Sequence, residues 1–413
     1  MLARVTVAAV YVSCDRIVTC APGALPRRRD FDLGILEGAA MRIENGRVSW
    51  IGSREEAPDE SVYLQGTIVP GLVDAHTHPV YAGSRLHEFA LRAKGATYQE
   101  IHAAGGGIHS TVRATRAASY EELLARTERV LARMLRHGTT TLEAKSGYGL
   151  DEATEIRDLQ LLGDVASPMR IVRTYLGAHA MPPDFADRRE EFVKTLIEQT
   201  LPRIARERLA DACDVFCEDG AFTLDESRRI LAAARAHGLD VKAHAEEFAY
   251  LGGARMAASL GARSVDHLLS LPEHDFAALA ESGTVAVLLP GTTLFLGKER
   301  YAPARGLIDA GVPVAIATDF NAGSCMTESL PMAMSLAVLK MKMTPEEALI
   351  GATVNASHAL GVSDVCGSLE VGKAADFLVL EVDDPREWLY HFGVNLVREV
   401  WIAGRRVSDD IPC

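Results

Sequence analysis

The sequence predicts an α/β fold, a (β/α)8 TIM barrel accompanied by a small β-sandwich built from both chain ends. Two patterns predict it. Strand-like and helical segments alternate from residue 67 to about residue 360, and both ends are rich in strand-like segments. We therefore expect the N-terminal part of the sandwich at 1–66, the catalytic barrel at 67–360 and the C-terminal part of the sandwich at 361–413.

A β-hairpin is predicted in the N-terminal part. Met41–Ile43 and Val48–Ile51 are strand-like and flank Asn45 and Gly46. The dipeptide Asn-Gly favours a two-residue hairpin turn, so these segments should pair with each other.

The first barrel strand is predicted within Thr67–His78, an apolar run that ends in His-x-His. Side chains alternate faces along a strand, so His76 and His78 should point the same way. Two neighbouring imidazoles at the end of a strand can share one divalent metal. A bare His-x-His also occurs as two unrelated histidines near a turn, so the remaining ligands must come from elsewhere in the chain.

The other barrel strands follow at regular intervals. They are predicted at Thr139–Glu143, Arg170–Leu176, Ala212–Phe216, Val241–His244, Ser264–His267, Val285–Leu289 and Val314–Asp319. Between them, Tyr120–Arg136 is the clearest helix, with Ser119 as its N-cap and Gly138 as its stop, and Asp225–His237 is similar. After the barrel, strands are expected at Ala375–Leu380, Val397–Ile402 and Gly404–Val407.

Polar residues at the carboxyl ends of these strands predict a metal site, because catalytic groups of barrels gather there. His76 and His78 end the first strand, His244 the fifth and Asp319 the eighth. Three histidines and one aspartate can bind one Zn2+ or Fe2+ and leave a position for water. Such a metal lowers the pKa of bound water from ~15.7 towards ~7.

Three further residues are candidates for proton transfer or metal binding. His267 ends the sixth strand and, with Asp319, can hold or relay a proton. Glu247 follows His244 and can act as a second acid or base, whereas its neighbour Glu246 is expected to be solvated. Lys145 raises the alternative of a carbamylated lysine that bridges two metals.

Composition excludes several classes. A formal net charge of −13 without a sustained basic stripe argues against nucleic-acid binding. No apolar run is long enough for a transmembrane helix. Seven scattered cysteines without a C-x-x-C pattern indicate reduced thiols in a cytoplasmic protein, and Cys213 and Cys217 are expected to be small buried residues.

Nearly the whole chain resembles the amidohydrolase superfamily, and within it the imidazolonepropionase family. The superfamily resemblance lies in the metal-ligand pattern and in two segments of the predicted sandwich. The more specific segments are Lys145–Leu150, Leu176–Ala180, His244–Glu247 and Thr318–Ser324. Ala322 departs from the family, which usually has proline there.

The resemblance implies hydrolytic ring opening of 4-imidazolone-5-propanoate to N-formimino-L-glutamate, with one Zn2+ or Fe2+ on His76, His78, His244 and Asp319. Metal-activated water is expected to attack the ring carbonyl, with Asp319, His267 and Glu247 as catalytic residues. The implied substrate contacts are Arg85, Tyr148, His179, Glu247, Asn321, Gly323 and Ser324. A homodimer is also implied.

Two of these contacts have a direct physical role in binding the substrate. The Arg85 guanidinium can form a two-point pair with the propanoate, and His179 can hydrogen-bond the ring carbonyl or a ring nitrogen. Two alternatives stay open. The first is another metal hydrolase of the same scaffold, such as a different cyclic amidase or a deaminase of aminopurines or pyrimidines, which shares the metal ligands. The second is a non-catalytic scaffold protein, although such relatives tend to lose ligands.

Overall fold

The computed structural model describes residues 9–21, 32–95 and 106–407, which form two eight-stranded sheets. The barrel sheet is parallel, and its strands follow one another in chain order. They are β6 (Leu72–Asp74), β7 (Thr139–Lys145), β8 (Arg170–Ala178), β9 (Ala212–Cys217), β10 (Asp240–Ala245), β11 (Ser264–His267), β12 (Val285–Leu288) and β13 (Val314–Ile316). The predicted barrel and its sequential strand order are confirmed.

Contacts just beyond β6 and β13 join the two ends of the barrel sheet. Thr77 forms an isolated parallel bridge with Phe320, and the amide of Asp319 donates to the carbonyl of His76 at 3.0 Å. The buried carboxylate of Asp74 accepts from the amide of Thr318 at 3.0 Å and from its hydroxyl at 2.6 Å. This closure brings His76 and Asp319 together although they lie far apart in the sequence.

Helices follow the barrel strands and cover the sheet. Their bounds are Leu86–Ala93, Ile108–Ala117, Tyr120–Arg136, Glu152–Asp164, Arg189–Thr195, Leu201–Glu207, Leu224–Ala236, Gly253–Ser259, Phe276–Ser282, Pro290–Phe295, Ala304–Asp309, Leu330–Met341, Pro345–Gly351, Val354–Ala359 and Glu387–Tyr390. Leu196–Thr200 is a π-helical turn, and Arg54–Glu56, Pro183–Phe185 and Glu273–Asp275 are short 3-10 turns. Among the described residues, no helix combines the length and apolar character needed to cross a membrane.

The clearest predicted helix is present with the predicted ends. The side chain of Ser119 accepts from the amide of Glu122, and Glu122 accepts from the amide of Ser119, so the helix begins with a full capping box. Gly138 follows its end at a φ of +93°, a conformation that glycine adopts readily. The second predicted helix is shifted by one residue at each end, because Thr223 caps it.

The second sheet, here called the terminal sheet, is mixed and combines strands from both chain ends. Its strands are β1 (Val10–Val18), β2 (Ile35–Glu44), β3 (Arg47–Ser53), β4 (Val62–Tyr63), β5 (Thr67–Pro70), β14 (Phe377–Leu380), β15 (Val397–Ile402) and β16 (Arg405–Arg406). In this sheet β5 pairs with β1 and with β14, which joins the N-terminal and C-terminal segments. The predicted hairpin is β2–β3, with Asn45 and Gly46 both at positive φ.

The prediction that the apolar run Thr67–His78 contains a single buried strand, the first of the barrel, was wrong. The run divides at Gly71 into β5, which belongs to the terminal sheet, and β6, which belongs to the barrel. Both halves are fully buried, so hydrophobicity alone does not reveal the division. Gly71 packs so closely that a Cβ there would lie 2.2 Å from Oγ1 of Thr140. The boundary proposed at 66/67 remains a prediction.

Substitution of Gly71 by valine should destabilise the protein, because the new side chain would overlap Thr140. Overpacking of this kind costs roughly 1–3 kcal/mol, which chemical denaturation would measure. Gly163→Ala is the matched control, since the nearest atom to its added Cβ lies 3.4 Å away, on a flexible arginine. Equal stability of the two variants would contradict the close packing at Gly71.

Candidate metal centre and active site

His76 and His78 lie directly beyond β6 and are buried. Their Nε2 atoms are 3.2 Å apart. Nδ1 of His76 lies 2.6 Å from Oδ2 of Asp266. If His76 donates its Nδ1–H to that carboxylate, its Nε2 carries a lone pair directed at His78.

His244 and Asp319 complete the cluster. The His244 ring lies 4.4 Å from that of His76, centroid to centroid, and 5.5 Å from that of His78. One ring nitrogen from each of the three histidines falls within 4.8 Å of the others. Oδ1 of Asp319 lies 3.5 Å from Nε2 of His76 and 3.6 Å from Nε2 of His78. The structure therefore brings all four predicted ligands together.

The donor atoms fit a divalent metal. Within the described part of the chain, Nε2 of His244 is buried without a hydrogen-bond partner, as are both ring nitrogens of His267. Burial, reinforced by the nearby cations, lowers the pKa of His76 and of His78 well below the usual value, so both imidazoles are neutral and able to ligate. Buried, unpartnered and neutral nitrogens around one carboxylate are a typical zinc or iron ligand set.

Asp319 is held in a strained turn. Its φ is +52°, a left-handed conformation that is uncommon for residues other than glycine. The hydroxyl of Thr292 donates to its Oδ2 at 2.5 Å, and Nδ2 of Asn321 donates to its Oδ1 at 3.0 Å. Burial raises the pKa of Asp319 to about 6, and the bond from Thr292 opposes that rise.

Two of the histidine ligands, His76 and His244, also have a carboxylate close to Nδ1. Asp266 contacts His76, as described, and accepts from the hydroxyl of Ser264 at 2.6 Å. Oδ2 of Asp214 lies 3.0 Å from Nδ1 of His244, and its Oδ1 accepts from the His244 amide at 3.2 Å. Such outer partners orient metal-binding imidazoles and raise their basicity.

Lys145 lies among the buried carboxylates that contact the histidine ligands. Its ammonium is 2.6 Å from Asp214, 2.8 Å from Glu143 and 3.8 Å from Asp266. Burial alone would lower the pKa of Lys145, but the three carboxylates outweigh it and raise the pKa above the usual value. Because carbamylation requires a neutral amine, these ion pairs argue against the alternative of a carbamylated bridge.

Glu247 and His267 face each other beside the ligands. Oε2 of Glu247 lies 3.8 Å from Nδ1 of His267, and the ammonium of Lys298 is 3.8 Å from Oε1 of Glu247. Burial raises the pKa of Glu247 to about 7, although Lys298 opposes the rise. Burial lowers the pKa of His267 well below its usual value, and the neighbouring His244 and Lys298 lower it further.

Two aromatic side chains lie next to His78. His179 stacks on His78 with a centroid distance of 5.3 Å, and its Nδ1 lies 2.9 Å from the carbonyl oxygen of Gly147. Burial lowers the pKa of His179 to about 3, so the ring is neutral, donates from Nδ1 and presents an acceptor at Nε2. The ring of Tyr148 lies 6.0 Å from that of His78, centroid to centroid, and Tyr148 is also buried.

The loop after Asp319 is organised by Asn321. Its Oδ1 accepts from the amides of Gly323 and Ser324 at 2.8 and 2.7 Å. The backbone of Ala322 contributes a hydrogen bond that partly offsets the burial-raised pKa of Tyr148. Proline has no amide hydrogen, so a proline at this position could not donate such a hydrogen bond.

Arg85 precedes the helix Leu86–Ala93 and forms a two-point ion pair with Glu88, at 2.9 and 2.7 Å. Glu88 is fully buried. A Cβ on Gly323 would lie 1.9 Å from Nη1 of Arg85, so Arg85 reaches the loop that follows Asp319. The predicted arginine is therefore next to the other candidate substrate contacts.

The prediction that Glu246 is solvated was wrong. Glu246 is fully buried, and its carboxylate accepts from the amides of Gly253 and Ala254 at 2.7 and 2.9 Å, at the start of the helix Gly253–Ser259. A carboxylate at a helix N-terminus is stabilised by the free amides. Its spacing from His244 does not reveal this role.

Cys213 and Cys217 are buried, as predicted.

Several contributing residues were not identified from the sequence. They are Asp214, Asp266, Glu143, Lys242 and Thr292. The first four carry charge inside apolar strands, which is a usable signal because a buried charge requires a partner. Thr292 lies in a short helix after β12 and gives no such signal.

Replacement of Asp266 by asparagine should weaken metal binding about 10-fold to 100-fold, because loss of its charge makes the His76 imidazole a poorer ligand. Competition with a chromogenic chelator would measure this directly. The matched control is Asp240→Asn, an exposed aspartate at the start of β10 that pairs with Arg263. Equal affinity in both variants would contradict the role given to Asp266.

Comparison with known proteins agrees with this architecture. Residues 67–407 match the Amidohydrolase family. An imidazolonepropionase of Geobacillus kaustophilus is 47% identical over 398 residues, 94% of each chain, and one of Treponema denticola is 48% identical over 378 residues, 89% of this chain and 91% of the other. The guanine deaminase of E. coli has the same fold, with a TM-score of 0.72 at 18% identity over 97% of this chain and 99% of the other. The chain belongs to the amidohydrolase family.

Proposed function

We propose that this chain is a metal-dependent hydrolase that opens the ring of 4-imidazolone-5-propanoate to give N-formimino-L-glutamate in histidine degradation. The observation that carries the proposal is the cluster of four candidate metal ligands, together with an arginine suited to a carboxylate that contacts the loop after Asp319. Relatives named imidazolonepropionase, matched over nearly the whole chain, support it.

His76, His78, His244 and Asp319 would hold one divalent metal, Zn2+ or Fe2+. When bound, the metal activates water for attack and polarises the carbonyl of a cyclic amide. The contacts of Asp266 and Asp214 keep two of the imidazoles directed at it.

Asp319 is placed to take the proton from the attacking water. Its Oδ2 is occupied by Thr292, and its Oδ1 faces the imidazoles. A pKa raised by burial makes it a stronger base than an exposed aspartate.

Glu247 is the better candidate for delivering a proton to the leaving ring nitrogen. Its raised pKa, about 7, keeps a substantial protonated fraction at neutral pH, whereas burial keeps His267 deprotonated. His267 would act beside Asp319 by holding the water through one of its unpartnered nitrogens.

The substrate would be oriented by groups around the metal ligands. Arg85 would pair with the propanoate, and Tyr148 would close over the ring. Because Nδ1 of His179 is directed at the Gly147 carbonyl, its Nε2 would accept from a ring N–H rather than donate to the carbonyl. Asn321 would keep Gly323 and Ser324 in place for contact with the ring or with the opened product.

A deaminase is the second candidate function, because solved deaminases share the fold. Purine and pyrimidine bases lack the carboxylate for which Arg85 is suited, so we favour the cyclic amide. A non-catalytic scaffold protein is less consistent with the site, since all four ligand positions are intact.

The direct test follows the imidazolone absorbance after addition of the purified protein, with and without a chelator. We expect turnover that the chelator abolishes, and no activity on guanine or cytosine. Asp319→Ala should abolish turnover and weaken metal retention, whereas Asp309→Ala, at an exposed surface aspartate, should change neither. Full activity of the Asp319 variant, or deamination of guanine instead, would refute the proposal.

The pH profile tests the role of Glu247. Because its pKa is raised, the carboxyl is largely protonated at pH 6 and largely ionised at pH 8. If the protonated form donates, kcat should fall as pH rises through about 7, and Glu247→Gln should lose most activity together with this basic limb. A basic limb that persists unchanged in the glutamine variant would assign the titration to another group.

The remaining proposals concern the protein in its cell. The chain would act as a cytoplasmic homodimer on a small molecule, without binding nucleic acid. The six described cysteines are buried and form no disulfide, which suits a reducing compartment. Light scattering during size-exclusion chromatography would determine the oligomeric state.

A further inference from the structure

Three charged residues line one face of the helix that begins after Arg85. Glu88 and Arg92 follow Arg85 by three and seven residues, a spacing that places all three side chains on the same side. This face is directed at Gly323, in the loop after Asp319.

The charge of Arg85 is already balanced. Its Nε and Nη2 both donate to the fully buried carboxylate of Glu88, which also accepts from the amide of Gly107 at 2.9 Å. Glu88 therefore holds the guanidinium in one orientation, with Nη1 against Gly323. Taken together, Arg85 and Glu88 have no net charge. They can therefore orient a bound carboxylate through hydrogen bonds, but they attract it only weakly.

Arg92 supplies the missing positive charge. Its Nη2 donates to the carbonyl of Gly323 at 3.1 Å, and its guanidinium lies over the ring of Phe295, 5.4 Å from the centroid. Its Nε is buried and has no hydrogen-bond partner among the described residues. Burial and the adjacent Arg85 lower the pKa of Arg92 and Glu88 raises it, with a net lowering, which indicates that its surroundings compensate its charge only in part.

We infer that Arg92 is the second cation of the carboxylate-binding subsite, and that Glu88 is a positioning residue that fixes Arg85 within it. The inference rests on the proposed function, in which Arg85 receives the propanoate. Arg85, Glu88 and Arg92 together carry one net positive charge, which matches a monoanionic carboxylate. Arg92 would then determine the preference for a charged side chain over a neutral one of the same length.

Two probes of equal size separate these contributions: 3-(imidazol-4-yl)propanoate and its uncharged propanamide. Their affinities would be measured by calorimetry on the metal-loaded protein. We expect the wild type to prefer the carboxylate. Arg92→Gln should lower carboxylate affinity about 10-fold to 100-fold and leave amide affinity nearly unchanged, because a charge-assisted contact is lost.

Two controls accompany this variant. Arg92→Lys keeps the charge and should retain most of the preference. Arg300→Gln removes an exposed arginine from the connection between β12 and β13 and should behave as the wild type. An unchanged carboxylate-to-amide ratio in Arg92→Gln, or an equal loss of both ligands, would overturn the inference.

The binding assay is independent of turnover, so the two proposals can fail separately. A protein that does not open imidazolonepropanoate but loses carboxylate preference with Arg92→Gln would refute the proposed function and support the subsite. A protein that turns the substrate over with an unchanged KM in Arg92→Gln would do the reverse.

Discussion

The site depends on the contact between Asp266 and His76. At 2.6 Å, a hydrogen bond from Nδ1 to this carboxylate selects the tautomer that leaves Nε2 free to bind a metal. Asp266 is itself buried among Glu143, Lys145 and Lys242, so its position is determined by several ion pairs at once. A ligand supported in this way changes little in orientation between the free and the metal-bound protein.

The buried charges also indicate what the site is built to bind. Glu143, Asp214 and Asp266 face the ammonium groups of Lys145 and Lys242, and Asp319 lies beside the imidazoles of His76 and His78. With all six groups ionised, two negative charges remain without a counter-charge in a region of low dielectric. An unpaired buried charge is expensive, and one divalent cation would compensate this excess. The charge balance and the ligand geometry thus agree with the single metal that we propose.

Much of this arrangement could be predicted from the sequence. The strand and helix order, and the clustering of the candidate metal ligands, were accessible because apolar periodicity locates strand ends and barrels carry their chemistry there. The division of the first strand at Gly71 was not accessible, since both halves are equally buried. The burial of Glu246 was missed because its partners are backbone amides, which any sequence supplies. The pairing of Arg85 with Glu88 is local in sequence, but the contact of Arg85 with Gly323, more than two hundred residues away, is not.

The central claim is that one cation is shared by His76, His78, His244 and Asp319. Anomalous diffraction at the absorption edge of the bound metal tests it most directly. The account predicts one peak per chain, enclosed by these four side chains, and none beside Lys145. Two peaks, or a single peak among His76, Glu143 and Asp266, the other cluster able to hold a metal among the described residues, would contradict it.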